Sequence, residues 1–297
     1  MYNMYSGLIF LEVYMQTNGL HHVTVITHDI QRFYTFYNKV LGLKLLKETE
    51  NIENTAMKNL YFGDNKGNAG TLLSVIEVAN PLSIKYTTDE IYAYSLRVPT
   101  DYSLYVFKLR FDEMNIKYDT VIKLNGRHAL PFYDCDGRCV YLISDEHNKG
   151  IPLGEPDDDS NVDAIHQILG LGPVLINVSE QLLTSSILTQ VLDLKHTSSY
   201  QLAAHGNGVQ VFTSGDGGSG GEIHVVQGAV SENKHSANIE QVGLSVTEEV
   251  LSEYKKRLES INIPHSEISD RKFYKTLFFK DPCGIVFELS TKPDFNL

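Results

Sequence analysis

Two adjacent histidines, His21 and His22, stand inside Gly19-Leu-His-His-Val-Thr24, and Glu288 stands inside Gly284-Ile-Val-Phe-Glu-Leu-Ser290, near the other end of the 297-residue chain. Imidazole and carboxylate are ordinary ligands of a divalent metal, so aiming both at one point supplies most of a three-ligand site. Both runs read as strands. Alternation in the second sends Phe287 and Glu288 to opposite faces. A carboxylate in so apolar a strand needs a cation or a proton beside it, because a buried unpaired charge is costly.

The elements that position these residues come from internal repetition. Val40-Leu-Gly-Leu-Lys44 recurs as Val191-Leu-Asp-Leu-Lys195, and Gly67-Asn-Ala-Gly70 as Gly218-Ser-Gly-Gly221, both 151 residues on. A second family of matches keeps an offset of 147, pairing Asn115-Ile116 with Asn262-Ile263, Phe132 with Phe279, Asp134 with Asp281 and Gly137 with Gly284. The chain therefore reads as four units at about 18–80, 90–148, 164–228 and 238–293. In the first, a strand to Thr27 leads to Asp29 as N-cap. Ile30, Phe33, Phe36, Tyr37, Val40 and Leu41 follow at helical spacing, and Gly42 closes the helix. Three strands come next, around 43–48, 56–62 and 71–78. In the fourth, strand 242–246, helix Glu248–Ser260 and closing strands Lys275–Lys280 and 285–290 repeat that grammar. The expected fold is α+β, with four βαβββ modules in two domains, 18–148 and 164–293. An acidic linker at 149–163 joins them, and a disordered extension, 1–17, precedes them.

Composition excludes several function classes. A net charge of -12 without a basic stripe argues against a nucleic-acid partner. Three scattered cysteines build no disulfide framework and fit a reducing, cytoplasmic setting. The stretch from Met1 to Tyr14 has no basic region, and Glu12 interrupts its apolar run, so no signal peptide or membrane anchor is expected; Met15 is a candidate start. Other clusters carry weaker patterns. Cys135 and Cys139 lack a second pair, Asp157-Asp-Asp159 lacks the Gly and Glu of a calcium loop, and a strand rather than a helix follows the glycine-rich run 215–221. His196, His205 and His224 follow no ligand spacing.

Together with the four-module pattern, Gly19-Leu-His-His-Val-Thr24, Asp270-Arg271-Lys-Phe-Tyr274, Phe279-Lys-Asp-Pro-Cys-Gly284 and Val286-Phe-Glu-Leu289 resemble the vicinal oxygen chelate superfamily over about 18–293. More narrowly, the chain resembles its four-module ring-cleaving dioxygenases of hydroquinone-type substrates. That resemblance implies cupped mixed sheets around Fe(II) or Mn(II), with His22 and Glu288 as two ligands and a second histidine opening the fourth module. Glu240-Gln241 stands there instead, so Gln241 takes the third place, with Glu240 and His235 as the other candidates. His21, Thr24 and Arg271 are implied to line the pocket, the arginine facing an anionic substrate oxygen. The family's tyrosine seven residues beyond that arginine is Phe278 here, which can neither donate nor accept a proton. By the repeat offsets, Gln241 falls opposite Tyr94, Glu288 opposite Tyr141 and His22 opposite Pro173, so the mirror-image cup is expected to lack ligands.

The implied function is a divergent extradiol-type dioxygenase of hydroquinone or catechol-like aromatics. The implied partner is a small aromatic or quinone-derived substrate, and the assembly a monomer or homodimer. Replacement of an imidazole by a weaker amide donor leaves two other readings open. One is an isomerase or lyase using a redox-silent metal, and the other is a non-catalytic small-molecule binding protein of the same fold.

Overall fold

Each sequence unit folds as βαβββ in the computed structural model, which describes residues 15–50, 57–80, 88–202, 208–228 and 238–295. His205, His235 and the first fourteen residues lie outside the described residues. The first module holds β1 (Leu20–Thr27), α1 (Ile30–Tyr34) continued by a π-helical turn (Thr35–Val40), β2 (Lys44–Glu50), β3 (Lys58–Gly63) and β4 (Leu72–Glu77). The second holds β5 (Glu90–Val98), α2 (Asp101–Met114), β6 (Ile122–Leu124), β7 (Arg127–Tyr133) and β8 (Cys139–Ser144). The third has β9 (Leu171–Val178), α3 (Gln181–Ser186) with a second π turn (Ile187–Val191), β10 (Lys195–Gln201), β11 (Gly208–Thr213) and β12 (Glu222–Gln227). The fourth has β13 (Ile239–Ser245), α4 (Glu248–Ser260), β14 (Ser269–Asp270), β15 (Lys275–Lys280) and β16 (Val286–Ser290).

Local chemistry explains the helices. Asp29 caps α1 by accepting from the Arg32 N–H at 3.0 Å, and Thr100 and Thr247 cap α2 and α4 in the same way. The first helix departs from the α-helix expected through Leu41. Its second half widens to π geometry, with Leu41 N–H bonding to Phe36 O at 3.1 Å. Arg110 of α2 bonds the Lys39 and Val40 carbonyls at 2.6 Å each, so that end of the helix keeps its hydrogen bonds satisfied. On α4, Val250, Leu251, Tyr254 and Leu258 form the buried stripe. Each such side chain contributes roughly 1.5–3 kcal/mol by leaving water.

Two eight-stranded sheets result, ordered β14-β15-β16-β13-β1-β4-β3-β2 and β10-β11-β12-β9-β5-β8-β7-β6. The first joins modules one and four, and the second joins modules two and three. Sheets and linear halves are therefore different partitions of the chain, because the antiparallel seams β1/β13 and β5/β9 cross the 149–163 segment. That segment is itself pinned to the body. Glu155 N–H bonds to Asp64 at 2.9 Å, and Lys44 lies 3.5 Å from Asp157.

One continuous apolar core lies between the helices and the inner faces of both sheets, including Val23, Val75, Val242, Phe279, Phe287 and Leu289 from the first sheet and Leu142, Val174 and Val225 from the second. Phe287 and its neighbour Glu288 do point to opposite faces, Phe287 into this core. The other face of the first sheet forms a cup. Among the described residues, no helix is long and apolar enough to cross a membrane.

Candidate metal centre

His21 and His22 would diverge in a regular strand, yet both are buried and touch. A bulge brings them together. Leu20 pairs with Leu244 and Val23 with Val242, which leaves one extra residue on β1 at the histidines. Their rings meet edge to face at 5.1 Å, and their Nδ1 atoms are 2.9 Å apart. A second irregularity lies between Thr24↔Gln241 and Val25↔Ile239, and it makes Glu240 the extra residue on β13. Glu240 is consequently exposed, while Gln241 turns toward Thr24, its amide nitrogen donating to Oγ1 at 3.3 Å.

Glu288 enters the cup from β16, which is parallel to β13 with Gly243 as its pair and antiparallel to β15 with Phe278 as its pair. The absence of a side chain at Gly243 makes room for His22. A Cβ there would stand 2.3 Å from His22 Nδ1 and 2.5 Å from Cε1. The Glu288 carboxylate accepts hydrogen bonds from Thr276 Oγ1, from Ser290 Oγ at 3.2 Å and from the Gln241 amide. The approach of Glu288 Oε2 to His22 Nε2 is 3.5 Å.

The proton inventory of this chain is restrictive. His21 Nε2 lies 2.9 Å from the Thr291 carbonyl, which can only accept, so Nε2 carries the proton. Burial, then the neighbouring His22, push the His21 pKa down to about 3, so its ring is neutral and its Nδ1 accepts from His22 Nδ1–H. His22 Nε2 is left buried without a hydrogen-bond partner, facing a carboxylate. A lone pair against a carboxylate is repulsive, so a positive charge belongs between them, either a proton or a metal ion. Burial alone would raise the Glu288 pKa. The neighbouring His22, the Thr276 hydrogen bond and Arg271 outweigh it and lower the carboxyl pKa to about 2.

Around this pair the cup is aromatic. The Tyr274 ring lies 4.8 Å from that of His21 and 5.7 Å from that of His22. Phe295 packs with Leu46 and Leu72 and stacks on Phe273 at 4.8 Å, with Tyr61 beside both. Arg271 sits exposed in the turn between β14 and β15, and its charge reaches Tyr61, Tyr274 and Glu288.

Of the residues singled out in the sequence, His21, His22, Thr24, Gln241 and Glu288 converge, and Arg271 lies at their margin. Thr276, Ser290 and Gly243 were missed. Ser290 was readable, since alternation puts it on the face of Glu288. Among the described residues, no three His, Cys, Asp or Glu side chains form a metal cluster; the Gln241 amide is the group that meets the Glu288 oxygen facing His22. Rotating that amide would exchange nitrogen for a carbonyl oxygen capable of ligation. His196 is exposed, whereas His224 is buried between Glu222 at 2.9 Å and Tyr200 at 3.0 Å. Cys135 and Cys139 are free thiols.

The mirror cup corrects one correspondence. Ala93 pairs with Leu175 as Gln241 pairs with Thr24, so Ala93, not Tyr94, is the counterpart of Gln241. Within this strand the repeat offset is one residue longer than elsewhere, and a one-residue slip exchanges faces. Tyr94 points the other way, into the core, where its hydroxyl meets that of Tyr37. Ala93, Cys139, Tyr141, Leu175 and Val226 share an apolar cluster in the mirror cup.

Comparison with known proteins places this geometry in context. The profile of the Glyoxalase/Bleomycin resistance protein/Dioxygenase superfamily matches residues 19–90. MhqA of Bacillus subtilis strain 168, a candidate ring-cleaving dioxygenase by name, is 34% identical over 280 residues, covering 93% of this chain and 88% of MhqA. The chlorohydroquinone/hydroquinone 1,2-dioxygenase of Sphingobium indicum is 24% identical, covering 95% of this chain and 87% of that protein. Among solved structures, a candidate dioxygenase from Bacillus subtilis superposes with a TM-score of 0.80 at 21% identity, over 94% of this chain and 86% of that one. Glyoxalase I from Zea mays superposes at 0.64 with 15% identity, over 92% of each chain, and shares the fold.

Proposed function

Because the chain belongs to the glyoxalase/bleomycin resistance protein/dioxygenase superfamily and is a relative of MhqA, we propose that it is a metal-dependent ring-cleaving dioxygenase of hydroquinone or catechol-like aromatics. The observation that carries this reading is the buried, unpartnered His22 Nε2 facing the ionised Glu288. The residues present suit a divalent metal: His22 offers a nitrogen lone pair, Glu288 a carboxylate, and Gln241 an amide oxygen after rotation. Fe(II) or Mn(II) bound there would supply the redox chemistry by which dioxygen attacks the ring.

The protein's own groups do the rest. His21 fixes the tautomer of His22 through the bond to Thr291, as an outer partner of a metal-ligating histidine does. Thr276 and Ser290 hold one carboxylate oxygen of Glu288 and leave the other directed at His22. Arg271 provides a cation for a phenolate oxygen, and Thr24 with Gln241 closes the β13 side. Gln241 is a weaker donor than imidazole, so iron should be held less tightly than at a two-histidine, one-carboxylate site.

The test is oxygen consumption by protein reconstituted with Fe(II) or Mn(II), across hydroquinone, chlorohydroquinone, methylhydroquinone and catechol. Uptake that depends on both metal and diol is expected. Turnover with zinc under strictly anaerobic conditions would favour isomerase or lyase chemistry, and diol binding without uptake would favour a binding protein; either result overturns the dioxygenase assignment.

A further inference from the structure

Thr276 and Phe278 share the cup side of β15, because alternate residues share a face, and Tyr274 stands just before that strand with its ring against both histidines. Thr276 is committed to Glu288. Phe278 pairs directly with Glu288, has no hydroxyl, and is 37% exposed. Tyr274 is 8% exposed, with its ring laid across both histidines, yet its hydroxyl has no hydrogen-bond partner among the described residues. The hydroxyl is not among the buried unpartnered polar atoms, so it reaches the open cup as a donor that a bound ligand can engage.

The surroundings of that hydroxyl define what would satisfy it. Glu288, Tyr61 and Arg271 are the charged and phenolic groups close enough to act on it electrostatically. A phenol carries its proton at neutral pH and can donate it. Arg271 likewise has no ion-pair partner among the described residues. Two unused donors flanking a carboxylate call for an oxygen acceptor carried on a flat ring.

We propose that Tyr274 is a substrate-contacting residue, donating its phenolic proton in a hydrogen bond to one ring oxygen of an aromatic diol, with Arg271 facing the other oxygen. This inference rests on the dioxygenase reading. It makes the phenol of the pocket approach from the histidine side of the Glu288 row, where Phe278 leaves the opposite end apolar. Specificity follows, since a diol offers an oxygen to each donor and a ligand lacking one oxygen leaves one of them unused.

The test removes one oxygen from either side. Tyr274→Phe keeps the ring on His21 and His22 and deletes only the hydroxyl. Anaerobic calorimetric titration of the protein as purified, so that no turnover occurs, compares hydroquinone with phenol. In the parent, hydroquinone should bind about tenfold more tightly than phenol, and Tyr274→Phe should lose about tenfold for hydroquinone and little for phenol, the coupling expected of one hydrogen bond. Thermal midpoint and metal content should not change, and under turnover the loss should fall on KM more than on kcat. Equal hydroquinone affinity in parent and variant overturns the inference while leaving the function proposal intact. A variant that loses metal or stability along with affinity shows a structural role and also overturns it. A parent that binds neither ligand overturns both proposals together.

Discussion

Gly243→Ala is the sharpest structural perturbation of the centre. The added Cβ would stand 2.3 Å from His22 Nδ1, well inside van der Waals contact, and the ring has no free space, being 1% exposed and tied to His21 at 2.9 Å. The ring must move by about an ångström, which breaks the Nδ1 hydrogen bond and turns Nε2 away from Glu288. Overpacking costs about 1–3 kcal/mol. A lost buried hydrogen bond adds roughly 1 kcal/mol. The total of about 2–4 kcal/mol corresponds to a fall in Tm on the order of 3–7 °C in a chain of this size. Thermal unfolding followed by circular dichroism reads the stability, and Mn(II) titration reads the centre, where affinity should fall at least tenfold. Gly243 has no positive φ, so backbone strain does not complicate the outcome. An alanine variant with the parent's Tm and Mn(II) affinity would refute the placement of His22 over this glycine.

Two further outcomes follow from the same geometry. Gln241→His places an imidazole where the amide meets Glu288, and it should raise Fe(II) affinity by at least about tenfold in competitive chelator titrations; unchanged affinity would remove position 241 from the ligand set. His21 links stability to pH, because its pKa is about 3 in the folded protein against an ordinary 6.5. Between these values the unfolded chain binds the extra proton, so the contribution is complete above about pH 6.5 and is lost as pH falls toward 3. From pH 7.5 to 5 the metal-free parent should lose about 2 kcal/mol more than His21→Gln in denaturant titrations, and equal losses would contradict the neutral, buried imidazole.

The modular fold was legible because each βαβββ unit carries its own local signals, such as Asp29 as a cap, the helical spacing from Ile30 to Leu41, and matching turns at fixed offsets. Strand alternation made the face of Glu288 legible, and the family resemblance is what paired it with His22. Bulges were not. An extra residue at His21-His22 or at Glu240 has no signature in residue type, yet it makes two adjacent imidazoles touch and sends Glu240 to solvent while Gln241 turns inward. For the same reason Tyr94 was matched to Gln241 when the sheet register matches Ala93, one residue away and on the other face. Thr276 and Gly243 depend on cross-strand pairing, which periodicity within one strand does not encode. Tyr274 stood in the sequence only as the end of the Asp270–Tyr274 motif, and its contact with both histidines and its unpartnered hydroxyl set it apart.

The most direct test of the central claim is the mass of the product formed from hydroquinone by Fe(II)- or Mn(II)-reconstituted protein under 18O2. A ring-opened product carrying two 18O atoms is expected, and its formation should be abolished in His22→Ala. A product without 18O, or one formed equally by His22→Ala, would contradict a ring-cleaving dioxygenase centred on His22 and Glu288.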